Sequence, residues 1–196
     1  MKLFQIALLL FTTGVANGAN DIHAVDFRTF NYRPACLRLA DSSAEVEQWQ
    51  FSESGESVVV TNGIYKNDAP NDPLDFRILE INYGDLTSNA VAIVTTVCNT
   101  GGSGDFSEGF IYSMVNNQPK LITIINGGDR ANGGIHSATI QNGLLRVERY
   151  GTNGGACCPE WVQTTDYQLR DGRLVPVGPE RREKYLEPDE KTPPAK

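Results

Sequence analysis

His23 and His136 are the only two histidines in the chain, so any general acid–base chemistry based on imidazole must use one of them. His136 follows Gly133-Gly134, stands beside Ser137 and has Asp129 seven residues upstream. These are the residue types of a Ser–His–Asp hydrolase, a constellation defined by space and not by chain order. The sequence lacks the G-x-S-x-G elbow that lifts a nucleophilic serine out of a sheet, and successive strand residues point to opposite faces. The expected role of His136 is therefore that of a loop-edge histidine hydrogen-bonded to backbone, with hydrolysis by His136 and Asp129 as the alternative. His23 lies close to the expected mature N-terminus, a poor place to hold catalytic geometry.

Asp129 and Arg130 sit between Gly127-Gly128 and Gly133-Gly134. Such glycines let a backbone approach a ligand, and an arginine there can grip a carboxylate or phosphate. The same residues also build a wide turn, which is the expected role; Asp129, Arg130 and His136 are the candidate binding residues. Asn99 to Asp105 (N-T-G-G-S-G-D) has a mobile Gly/Ser composition, but no G-K-[ST] follows it to make a phosphate loop. Asp85, Thr87 and Asn89 have the alternate spacing of a calcium loop. They lack the glycine at the sixth position and the distal glutamate, so a turn capped by Asp85 is expected. The acidic residues, 24 in all, show no spacing that singles out a glycosidase pair. Tyr150, Trp161 and Tyr167 are expected to pack rather than to form a sugar platform. No metal and no cofactor is implied.

The elements that must position these residues begin after an export signal. Met1-Lys2, the apolar run Leu3–Phe11 and the small residues Gly14, Ala16 and Gly18 have the layout of a secretory signal peptide, with cleavage expected after Gly18. No later run approaches the roughly 18 apolar residues of a spanning helix, and no cysteine stands at the cleavage point to carry lipid. A periplasmic or secreted location is expected, without membrane insertion. The net charge of −7, with no basic run longer than Arg181-Arg182, argues against nucleic acid as a partner. The four cysteines, Cys36, Cys98, Cys157 and Cys158, have no C-x₂-C or histidine spacing for a metal. In an exported chain they are expected to form disulfides. Neighbouring cysteines seldom bond to each other, so Cys157 and Cys158 are expected to take different partners from Cys36 and Cys98, in either connectivity.

Asn, Gly, Thr, Val and Ile are plentiful, a β-rich composition. Expected strands are Ile22–Tyr32, Ser57–Thr61, a regular run from Leu74, and the nearly apolar Ala90–Val97, which reads as covered on both faces. From Leu74, Phe76, Ile78, Glu80 and Asn82 would share one face and Arg77, Leu79, Ile81 and Tyr83 the other. Tyr65–Pro73 reads as loop, and Ala40–Phe51 as the best helix candidate. Three hairpins follow: Phe106–Val115 with Lys120–Asn126, Ile135–Gln141 with Leu144–Tyr150 across Asn142-Gly143, and Trp161–Arg170 with Arg173–Val177 across Asp171-Gly172. The expected fold is all-β with minor α, a single antiparallel meander sheet, curved or barrel- or sandwich-like, tied by disulfides. One domain over 19–178 is expected between the signal peptide (1–18) and a mobile, charged, Pro-rich tail (179–196) with a helical turn at Glu180–Leu186.

The motifs Gly128-Asp129-Arg130-Ala131-Asn132-Gly133-Gly134, Asn142-Gly143-Leu144, Gly151, Cys157-Cys158-Pro159 and Thr165-Asp166-Tyr167 occur in the order seen in a family of exported bacterial proteins. That family has a G-D-R-A-x-G-G loop, an N-G hairpin and a C-C-P element before a T-x-Y strand, and this chain resembles it most strongly from Gly84 to Arg173. Val25-Asp26-Phe27 and Tyr83-Gly84-Asp85-Leu86-Thr87 also fit; Cys98 is an addition to the pattern. The closing hairpin is distantly similar to the LppP/LprE-type envelope lipoproteins, without their lipid-bearing cysteine. The resemblance implies export and fold and supplies no catalytic residues. The acidic charge, the export signal and the missing catalytic motifs lead to an expectation of non-catalytic binding: an inhibitor or neutraliser of another exported protein, its acidic sheet edge with mobile loops engaging a basic partner. The alternatives are the small hydrolase above and a structural component of the envelope.

Overall fold

Among the described residues, four two-residue turns have positive φ at both positions: Asn62-Gly63 (55° and 82°), Asn116-Asn117 (52° and 64°), Asn142-Gly143 (53° and 75°) and Asp171-Gly172 (49° and 74°). This is the type I′ signature, whose twist matches the strands it joins, and Asn, Asp and Gly adopt it at least steric cost. The structure, a computed structural model, describes residues 21–34, 57–69, 73–102, 104–129, 133–153 and 158–186. The expected signal peptide, the helix candidate Ala40–Phe51, Arg130, Cys36 and Cys157 lie outside the described residues. Among the described residues eleven strands are seen: β1 (Asn31–Tyr32), β2 (Val58–Val59), β3 (Ile64–Asn67), β4 (Leu74–Leu86), β5 (Asn89–Asn99), β6 (Phe106–Val115), β7 (Gln118–Asp129), β8 (Ile135–Gln141), β9 (Leu144–Gly151), β10 (Trp161–Arg170) and β11 (Arg173–Lys184).

The antiparallel all-β meander is present, and it is divided between two main sheets, neither closed into a barrel. One has the order β3-β4-β5-β6-β7, the other β11-β10-β9-β8, and β1 pairs with β2 separately. Apolar residues alternate along the five-stranded sheet and serve two cores. Val91, Ile93, Ile111 and Ile125 face Ile135, Ala138, Leu145 and Val147 of the four-stranded sheet. Ala92, Val94, Phe110 and Tyr112 face the opposite way, against Ile22, Phe27, Tyr32 and Val60 of the N-terminal segment. The expectation that Ala90–Val97 is covered on both sides is met. Tyr32 is 1% exposed, and its hydroxyl donates to the Phe27 carbonyl at 2.6 Å, which satisfies the one polar atom that this ring carries into the core.

Several expectations are corrected. Ile22–Tyr32 is not one strand: Ile22–Ala24 is a 3₁₀ turn capped by Asp21, and only Asn31–Tyr32 pairs. The Asp21 carboxylate accepts from the His23 amide, and that of Asp26 accepts from the Arg28 and Thr29 amides. These local bonds compete with a ladder. Within Tyr65–Pro73, residues up to Asn67 are strand, because β3 pairs along Leu74–Arg77 of β4. A bulge places Ile78 opposite Thr96 and Glu80 opposite Thr95, so Leu79 is the inserted residue and stands 54% exposed. Beyond it the phase flips, as bulges require: Ile81 joins the core that Phe76 and Ile78 occupy, while Asn82 donates to Ala138 of β8 at 2.9 Å.

The tail reading fails over its first residues, since β11 continues to Lys184 and pairs with β10 as far as Trp161. Gly178 (φ 74°) lies in a bulge at this point, an irregularity on an edge strand that accommodates Pro179 despite its missing N–H. No helical turn forms at Glu180–Leu186; the Tyr185 amide instead donates to the Glu160 carbonyl at 2.9 Å. Cys98, 4% exposed at the end of β5, is disulfide-bonded, and Cys158 is exposed.

Candidate binding site

The stretch from Asp129 to Gly134 joins the two sheets, and backbone hydrogen bonds hold the described residues at its two ends. The Gly128 amide donates to Gly133 O (3.0 Å), Gly134 to Asp129 O (2.8 Å), Gly133 to Tyr150 O (2.9 Å), and Tyr150 to Gly134 O (2.8 Å). Ser107 of β6 adds a side-chain clasp: its Oγ accepts from the Ile135 amide at 2.6 Å and donates to the Gly128 carbonyl at 3.3 Å. Asp129 takes part through its backbone, pairing with Phe106 and Gly133.

His136 is the bulged residue of β8, since Ile135 opposes Arg149 and Ser137 opposes Glu148. The bulge overrides strict alternation and lets both neighbours reach Glu148. Ser137 Oγ donates to Glu148 Oε2 at 2.9 Å, and His136 Nε2 lies 4.0 Å from the same oxygen. His136 Nδ1 is 2.7 Å from the Tyr150 hydroxyl, a side-chain partner where a backbone one was expected, and the Tyr150 and Tyr185 rings cross nearly at right angles, 5.4 Å apart. Burial, then Tyr185 beside it, raise the Tyr150 hydroxyl above its ordinary value. Among the described residues Ser137 makes no hydrogen bond to His136, and Asp129 forms neither a hydrogen bond nor an ion pair with it. The nucleophile–base contact that acyl transfer needs is not built here, and the cluster braces the β8–β9 end of its sheet. At the calcium-like spacing, Asp85 lies within β4 and Thr87 (φ 61°) lies in the tight turn before Asn89.

A second group of residues escaped the sequence reading. Arg149, Gln163 and Arg182 are direct register partners across β9, β10 and β11, and Trp161 is opposite Gly151. With Gly133, Tyr150 and Thr152 they line a cleft of about 220 Å³. It lies where the four-stranded sheet runs past its apolar core, beside the Asp129–Gly134 loop. Each arginine is held by a neutral group. Arg149 Nη1 donates to the Gly133 carbonyl at 3.3 Å, and the Arg182 guanidinium lies 5.5 Å from the Trp161 ring centre, a cation–π distance. Trp161 in turn leans on Gly151, where an added Cβ would fall 2.1 Å from its Nε1. Trp161 thus packs, as expected, but as one wall of an open cleft.

A different pattern holds elsewhere on the same sheet. Arg146 Nε meets Asp166 Oδ1 at 2.8 Å and Arg181 Nη2 meets Asp166 Oδ2 at 3.0 Å. The Arg146 hydrogen bond chiefly, then Arg181, hold the Asp166 carboxyl below its ordinary value of 3.8. A depressed carboxyl stabilises the fold above its unfolded value, and the contribution fades as pH falls through the folded one. Asp166→Asn should therefore lower stability by on the order of 1 kcal/mol at neutral pH. In thermal melts of the two proteins, the gap should close as the pH is taken from 5 to below 3. A gap that stays constant with pH would count against this network.

Compared with known proteins, the chain matches no protein-family model, no curated protein and no solved structure.

Proposed function

We propose that this chain is an exported domain that works by binding another exported protein, without catalysis, and that the cleft beside Trp161 is where it engages that partner. The observation that carries the reading is the convergence of Arg149, Gln163, Arg182 and Trp161 on one cleft, donors and an aromatic surface without a nucleophile–base pair among them. Arginine and tryptophan are the residue types that dominate binding energies at protein interfaces. The chain's net charge of −7 favours approach by a basic partner at long range, while the arginines set a local preference for an acidic group within it. Arg149 and Arg182 are placed by β9 and β11, rigid elements rather than mobile loops, so little ordering is needed on binding.

The test immobilises the mature chain and passes envelope and culture extracts over it at low salt. The expected result is a partner retained in a fixed ratio by the wild type and lost from an Arg149→Gln/Arg182→Gln variant that melts normally. The reading fails if nothing is retained, or if the variant retains the same protein equally well.

A further inference from the structure

We infer that the cleft recognises a carboxylate borne on an apolar group, an inference that rests on the binding reading above. Both guanidiniums are oriented by uncharged partners, the Gly133 carbonyl and the Trp161 ring. Among the described residues neither forms an ion pair. That stands out in a chain with 24 acidic residues against 17 lysines and arginines, and on a sheet where a single carboxylate, Asp166, takes two arginines. Two positive charges lining one cleft, neither of them ion-paired among the described residues, are disposed to accept a counter-charge from outside.

The register defines the shape of the cleft. Arg149 and Arg182 both oppose Gln163, so their backbones are two strand spacings apart, about 10 Å, with a neutral amide between them. Arg149 already spends one nitrogen on Gly133, and Arg182 lies on an indole; what remains to each is a planar edge of N–H donors, which matches the two oxygens of a carboxylate. The Gln163 amide can donate between them. The Trp161 ring walls the cleft, which suits an apolar or aromatic group attached to the carboxylate better than a small hydrated ion. Two sources carry this chemistry: the C-terminus of a peptide that ends in an apolar residue, and a free aryl or alkyl acid.

The chain has two tryptophans, so Trp49→Phe leaves Trp161 as the only indole, and its N–H resonance reports the cleft. The mature protein is titrated with acetyl-Ala-Ala-Phe bearing a free carboxylate, the same peptide as its amide, 3-phenylpropionate, and inorganic phosphate. A saturable shift of the Trp161 resonance is expected with the free-acid peptide, with the amide at least about tenfold weaker. Arg149→Gln and Arg182→Gln should each weaken the acid about tenfold while leaving thermal unfolding unchanged. If 3-phenylpropionate binds as well as the peptide, the source is a free acid; if only the peptide binds, it is a chain terminus; either supports the inference. Equal binding of acid and amide, arginine variants that bind like the wild type, a response to phosphate alone, or no response overturns it. Should the carboxylates fail while an extract protein is still retained and lost with the arginines, carboxylate recognition falls and the binding function stands; if both fail, both are wrong.

Discussion

Gly127→Ala is expected to destabilise the protein by about 3 kcal/mol or more, since it combines overpacking with damage to a buried hydrogen bond. A Cβ at residue 127 would lie 2.1 Å from the Ser107 carbonyl oxygen and 2.8 Å from both its carbonyl carbon and its Oγ. The nearest obstacle is backbone, so no rotamer change relieves it; β6 and β7 must part locally. Ser107 is the residue whose Oγ holds the Ile135 amide at 2.6 Å, so pushing it away loosens the junction between the two sheets as well as one ladder. Ser107→Ala removes the clasp without the clash and should lose only about 1–3 kcal/mol. Guanidinium denaturation compares the two midpoints. A Gly127→Ala midpoint no lower than that of Ser107→Ala would mean that the close approach of β7 to Ser107 is not a constraint in solution.

Phe110→Ala should lower stability by about 3–5 kcal/mol, the range for a deleted core phenyl ring. Phe110 is 1% exposed, and its ring centre lies 5.3 Å from that of Tyr32 and 6.4 Å from that of Tyr112. The Phe27, Phe30, Tyr32, Phe76 and Tyr112 rings form the rest of this contact network, so the hole would be lined by rigid aromatics that cannot collapse into it. Val115→Ala on the same strand, at a site 41% exposed, should change stability by less than about 0.5 kcal/mol. Similar losses at the two sites would show that the N-terminal layer does not seal this face of the sheet.

The hairpins were readable because their cause is local. Asn142-Gly143 and Asp171-Gly172 tolerate positive φ, and the alternating residues on either side leave little choice of register. Asn116-Asn117 closes a tighter turn than the four residues Asn116–Pro119 suggested, because Gln118 and Pro119 already pair with Val115 and Met114. The bulges at Leu79 and His136 were not readable: an inserted residue alters neither composition nor propensity, yet it reverses which face every later residue occupies. The continuation of β11 past Pro179 was hidden by the charge and proline content that made it look like a tail. The cleft was concealed more deeply. Arg149 and Arg182 are far apart in the chain and become neighbours only through Gln163, whereas Asp129, which has glycines around it to advertise a site, contributes its backbone to a brace.

The nearest-neighbour order of the two main sheets has a kinetic consequence. Each of their strands pairs with the strand next to it in sequence, so most ladders begin by closing a very short loop, with little entropy lost before contacts form. For an all-β protein this is a low-contact-order route, and such chains fold quickly for their class. β3–β7 and β8–β11 can zip as separate units, with docking through Ile111, Ile125, Ala138 and Val147 as the later event. The interval between zipping and docking is when the apolar faces lie open to aggregation. The clasp from Ser107 of β6 to Ile135 of β8 spans the two units, so it can form only when they dock.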